Sequence, residues 1–272
     1  MDYEELEHGI KYFVKKWPPD RESEYTYAKL RQRGEKAPDY WLHLEKMSSD
    51  DIAKEIINGF LNHWQCRIPT KTFEQWYASG NNLTNVVNTI HDYYIALASY
   101  RIEDVIFKNK ISVNAENKPI LDVINSIYSA FLQIKTKFGP IPASKLMHMA
   151  LPDLFVMWDN GILQRYCIPK QRFNRIKAKS YTAFLILMQE NINHVIKSYP
   201  LPGLTHQQII QQIRNEHENL TLPRLLDMAN MAIRDCEQAV CIECMKKAKG
   251  RWAKLGFVST DEFTEDDSND EN

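Results

Sequence analysis

The sequence predicts an all-α, multi-helix globular protein, and three observations carry that reading. Apolar residues recur at steps of three and four through much of the chain, the spacing that lines one face of a helix. Proline and glycine clusters punctuate those stripes: Pro18-Pro19, Gly139-Pro140 with Pro142, and Pro200 with Pro202-Gly203. Of 272 residues, 44% are apolar and 11% aromatic, ample for a buried core. Roughly nine to twelve helices are expected, with strands absent or marginal.

The first helix should end before Pro18-Pro19. Ser48-Ser49-Asp50-Asp51 is an N-cap signal ahead of Ile52, Ile56, Ile57, Phe60 and Leu61, which fall at helical spacing. A short helix through Phe73, Trp76 and Tyr77 should follow and stop at Gly80. Leu83, Val86, Val87, Ile90, Tyr94 and Leu97 mark the next. From Ile106 to Lys118 the chain is polar and without a long period, so a loop with a short extended piece is expected there. That loop separates an amino-terminal helical subdomain, 1–107, from a second one, 118–255, and residues 256–272 form an acidic tail of disordered composition. In the second subdomain Ile120, Ile124, Ile127, Phe131 and Ile134 define a helix to about Lys135. Further helices are expected over Tyr181–Tyr199, Thr205–Glu218, and from Thr221 with Pro223 in the first turn to about Lys249.

The net charge of −1 excludes a uniformly basic nucleic-acid binder, but charge is segregated. Between Lys135 and Lys179 nine basic residues stand against Asp153 and Asp159 alone, while the tail from Asp261 carries seven acidic residues and no basic one. No apolar run approaches the roughly 18 residues of a membrane span, and MDYEELEHGI is acidic where a secretory signal is basic and then apolar. An intracellular protein is expected, cytoplasmic, or nuclear if eukaryotic, without a membrane partner. Five cysteines, an odd count, fit reduced thiols better than a disulfide framework. Nothing in the sequence fixes an oligomeric state.

The densest run of special residues lies between Ile134 and Ile162. Gly139, Pro140 and Pro142 cannot continue a helix but suit the start of a new one, so the pattern is helix, tight glycine turn, helix. The first amides of the second helix lack intrahelical partners and carry the positive end of the dipole, a site for a phosphate. Ser144 and Lys145 lie in or near that turn. A second break at Leu151-Pro152 precedes the apolar run Leu154–Trp158 and then Asp159. Downstream, Arg165, Lys170, Arg172, Arg175, Lys177 and Lys179 are interleaved with Tyr166, Phe173 and Tyr181, the mixture a nucleic-acid groove needs for phosphates and unstacked bases. A solvated basic helix face or loop would have the same composition.

A glycine turn between helices, Ala143 four residues after Gly139, and Asp159 sixteen residues further within Trp158-Asp159-x-x-Ile162 resemble the helix-hairpin-helix, Gly/Pro-Asp signature of base-excision DNA glycosylases. The resemblance covers residues 134–162. It implies that Gly139, Ile141 and Ala143 present amides to DNA phosphate, helped by Ser144 and Lys145, and that Asp159 supports departure of a base through an oxocarbenium-like state. Arg165, Lys170, Arg172 and Arg175 would add backbone contacts. Lys137 stands where the family's first glycine falls, and Ile141 where its bifunctional members carry a lysine. A Schiff-base lyase route is therefore closed, which leaves a monofunctional glycosylase or a non-catalytic nucleic-acid-binding or protein-interaction module on the same scaffold.

Asp159 has a second reading as the N-cap of a helix starting at Asn160 or Gly161. Cys236, Cys241 and Cys244 call to mind the iron–sulfur cluster of some members of that family, but the spacing differs, a fourth ligand is missing locally, and steps of five and three fit apolar side chains on a helix. No cofactor is expected. His148, a turn beyond Lys145, reads as a satisfied interior histidine. Glycine-rich nucleotide loops, Gly-x-Ser-x-Gly and His-Glu-x-x-His are absent from the sequence.

Overall fold

The structure, a computed structural model, describes residues 1–16, 53–62, 64, 66, 68–69, 83–133, 139–159, 162, 178–217 and 220–236. It is mostly helical, with eight helices and one two-stranded sheet among those residues. None of these helices is long and apolar enough to cross a membrane. The segment around Phe73, the basic run 163–177 and the tail 256–272 lie outside the described residues.

Helix α1 (Tyr3–Lys16) opens on Glu4 and Glu5 and closes on Lys15 and Lys16, charges that complement the helix dipole at both ends. The stripe after the predicted cap forms α2 (Ala53–Asn62), which buries Ile56, Phe60 and Leu61 as its spacing implies but is wound as a π-helix. Past its end the Trp64 amide donates to the Phe60 carbonyl, four residues back, at 3.0 Å, and the Cys66 amide to the Leu61 carbonyl, five residues back, at 2.9 Å. Asn62 then clasps the chain, accepting from the Ile68 amide at 2.7 Å and donating to its carbonyl at 3.1 Å.

After α3 (Leu83–Leu97) the polar segment contains β1 (Lys110–Val113) and β2 (Glu116–Pro119), paired antiparallel in the register Lys110 with Pro119 and Val113 with Glu116. The two-residue turn between them holds Asn114 and Ala115 at φ 51° and 65°, the mirror-image turn whose twist matches that of its strands. Pairing thus extends the expected extended piece into a hairpin, a long-range choice that local polarity does not reveal.

Helix α4 (Ile120–Leu132) is the axis of the molecule. It buries Ile120, Val123, Ile124, Ile127, Tyr128 and Phe131, and packs against α3, α5 (Pro140–Ala150) and α6 (Ala178–Lys197). It stops at Leu132, short of the expected Lys135, with the Gln133 amide shared between the Ser129 and Ala130 carbonyls at 3.2 Å each. The linking residues 134–138, on which a helix-hairpin-helix geometry would depend, are outside the described set. Helix α7 (His206–Glu216) starts with a capping box between Thr205 and Gln208, and α8 (Leu222–Cys236) opens with Pro223 in its first turn.

Contacts cross the boundary placed between the two expected subdomains. Helix α1 lies along α8, and α3 along α4. At the first crossing Gly9 is buried, and a Cβ there would stand 2.9 Å from the Ala229 backbone. An ion triad makes a further joint, with Arg214 and Glu103 buried and Asp153 at the edge: the Arg214 Nη2 donates to Glu103 at 3.2 Å and to Asp153 at 2.9 Å, beside a backbone bond from Ile102 to the Asp153 carbonyl. Gln189 on α6 donates to the Ile102 and Val105 carbonyls at 2.7 Å each, which fixes the same loop from the other side.

The α1–α8 crossing is open to a direct test. Gly9→Ala should lower unfolding free energy in denaturant titration by about 1–3 kcal/mol through overpacking, despite alanine's better helix propensity.

Candidate functional site

Gly139 caps α5 at φ 33°, a conformation that favours glycine, and a Cβ built there meets nothing within 4 Å, so this turn opens outward. The rest of the helix start is more closed than expected. Pro140 and Pro142 have no amide hydrogen, and the Ala143 amide already donates to the Gly139 carbonyl at 3.4 Å. Of the amides expected to hold phosphate, those of Gly139 and Ile141 are left to do so.

Ser144 and Lys145 face the protein interior, a correction to their expected phosphate contact. The Ser144 hydroxyl donates to the Ile141 carbonyl at 2.9 Å and accepts from the Trp158 amide at 3.3 Å. Lys145 is 7% exposed, and its ammonium donates to the Trp64 carbonyl at the end of the α2 segment. His148 is fully buried with Nδ1 at 2.6 Å from the Phe155 carbonyl, the satisfied interior histidine that was expected.

The glycine turn and the candidate carboxylate are brought together. Residues 154–158 are wholly buried, and Trp158 spans the gap with its indole N–H donating to the Pro140 carbonyl at 3.1 Å. Tyr128 on α4 donates to the same carbonyl at 3.1 Å, and Tyr181 on α6 donates to the Val156 carbonyl at 2.9 Å. Asp159 therefore emerges at the rim of a buried aromatic block, one residue past the tryptophan that touches the start of α5. Its Oδ1 accepts from the Ile162 amide at 2.8 Å, so the capping role is present.

Behind Asp159 lies a buried group of charges. Arg224 on α8, 5% exposed, donates to Asp227 at 2.6 Å and stacks on Trp64 at 4.2 Å and Phe13 at 5.4 Å from the ring centres. Burial pushes the Asp227 carboxyl up to about 6, with Arg224 opposing and the charge of Asp159 adding to the rise. Lys145 also acts on Asp227, which sets Asp159, Lys145, Arg224 and Asp227 within one electrostatic neighbourhood. Burial likewise raises the Cys66 thiol, against the influence of Lys145.

Arg224 and Asp227 carry no motif, but they left a trace. Two opposite charges three residues apart sit inside the apolar stripe Leu222, Leu225, Leu226 and Ala229, where a solvated pair is not expected. The basic residues Arg165, Lys170, Arg172 and Arg175 fall outside the described residues, as do Cys241 and Cys244, and of Cys236 the structure describes only its place at the end of α8.

With the geometry in view, comparison of the chain with protein-family models, with curated proteins and with solved structures finds no match. What the site does must be argued from its residues.

The raised Asp227 acidity has a signed consequence. In the unfolded chain this carboxyl loses its proton near the ordinary value of 3.8, whereas the folded protein holds it to about 6. Between those values the folded state binds more protons, so this group makes stability fall as pH rises from about 4 to about 6 and level off above. Denaturant midpoints measured across that window should show the slope in the wild type and lose it in Asp227→Asn.

Proposed function

We propose that the chain is a DNA-binding protein of glycosylase type, in which the Gly139 turn receives a sugar-phosphate strand and Asp159 serves an extruded nucleotide beside it. The observation that carries this reading is the tie between the two: Trp158 joins the outward-opening turn to the carboxylate through the Pro140 carbonyl and the Ser144 hydroxyl. A carboxylate at the rim of a buried aromatic block is suited to stabilise positive charge developing on a sugar as its base departs. Asp159 would do this and orient the attacking water, in the manner of a monofunctional enzyme, since Ile141 offers no amine for a Schiff base. Extrusion costs a few kcal/mol, least where pairing is already damaged, so a damaged or mismatched base is the substrate class. The basic residues Arg165, Lys170, Arg172 and Arg175 would supply the salt-sensitive part of the grip.

A specific observation favours the non-catalytic module as the second reading. With two prolines in the first turn and Ser144 and Lys145 turned inward, the α5 end offers few groups to phosphate, and Asp159 already has a structural task.

Incubation with duplexes carrying single lesions separates these. Under the glycosylase reading, abasic sites accumulate with at least one lesion, and Asp159→Asn slows their formation roughly 10²–10³-fold while DNA retention persists. Salt-dependent retention with no base released from any duplex would leave the module. Binding itself should weaken by tenfold or more between about 50 and 200 mM salt, and a flat response would remove nucleic acid from the account.

A further inference from the structure

We infer that Glu7, Glu216 and His217 form a binding site for one divalent transition-metal ion, of the zinc or manganese kind, that fastens α1 to the end of α7. Their donor atoms all lie within 4.8 Å of one another although Glu7 is separated from the other two by more than two hundred residues of chain. An imidazole with two carboxylates is a donor set suited to Zn²⁺ or Mn²⁺, whereas Mg²⁺ and Ca²⁺ favour oxygen alone.

The surroundings orient the ligands, and Lys11 stands 3.7 Å from the second oxygen of Glu7. Tyr3 donates to one oxygen of Glu216 at 2.8 Å, while Tyr199 and Gln212 donate to the other at 2.9 and 3.1 Å, which orients this carboxylate and leaves the oxygen bound by Tyr3 a further lone pair. Two carboxylates face one imidazole at the surface, where Glu216 is exposed and Glu7 and His217 are 19% and 12% exposed.

Without an ion, His217 Nε2 closes on Glu7 at 2.5 Å. Two ligands of one tetrahedral ion stand about 3.4 Å apart, so binding would part this pair by about 1 Å and draw Glu216 inward.

The test uses the full chain, stripped with a chelator and titrated with ZnCl₂ in a calorimeter and a thermal melt. One saturable equivalent and a rise in Tm of about 5 °C are expected. Glu216→Gln, which leaves the Glu7–His217 pair intact, and His217→Ala should each lose that equivalent, while Tyr3→Phe should keep it. No saturable binding in the wild type would overturn the assignment. So would binding that survives unchanged in both ligand variants, since it would then belong to the thiols.

Discussion

The structure depends on one carbonyl. Pro140 opens α5, and its oxygen accepts from both the Trp158 indole and the Tyr128 phenol. Those rings are part of a single block in which Tyr128 and Tyr181 stack at 4.6 Å and Trp158 meets Tyr181 edge-on at 5.1 Å. Buried aromatic rings of this size dominate a core energetically, but their polar ends demand partners, and here the partners are backbone carbonyls at Pro140 and Val156. The requirement to satisfy three polar ring groups therefore fixes where α5 starts relative to α4, α6 and the segment that ends at Asp159. Packing and hydrogen bonding act on the same atoms, so the candidate site inherits the rigidity of the core.

Much of this was legible in advance, and what was not has a physical reason. Periodic apolar stripes placed α3, α4, α6 and α8, because burial of one helical face is a local property of spacing. The start of α5 followed from Gly139 and its two prolines, since their backbone limits are intrinsic. The winding of α2 was not legible, since no local signal in its apolar stripe marks it as a π-helix. The hairpin was half-read, because strand pairing is decided between segments rather than within one. At the site, Asp159 and the glycine turn were found from spacing, whereas the inward direction of Ser144 and Lys145 depends on Trp158 and Trp64, which no local pattern brings near. Arg224 and Asp227 were hidden for the same reason, as their meaning comes from Phe13 and Trp64 across the molecule.

The buried charges shape the chemistry available to Asp159. A cation stacked between rings and paired to Asp227 is a fixed positive group in a poorly solvated place, and Lys145 is held by a carbonyl close by. Such groups act on a neighbouring carboxylate without reorienting, which water cannot do. Burial makes Asp227 a weaker acid, and the charge of Asp159 adds to that effect.

The Arg214 joint has a bearing on how the molecule withstands its surroundings. One guanidinium grips Glu103, whose side chain is fully covered, together with Asp153, and ties three stretches of chain that are far apart in sequence. Mobile ions weaken attraction between exposed charges within about 8–10 Å of screening length, but they do not penetrate a covered pair. Added salt would weaken exposed ion pairs while leaving the covered Arg214–Glu103 contact closed, so this joint of the helical frame is insulated from the electrolyte around it.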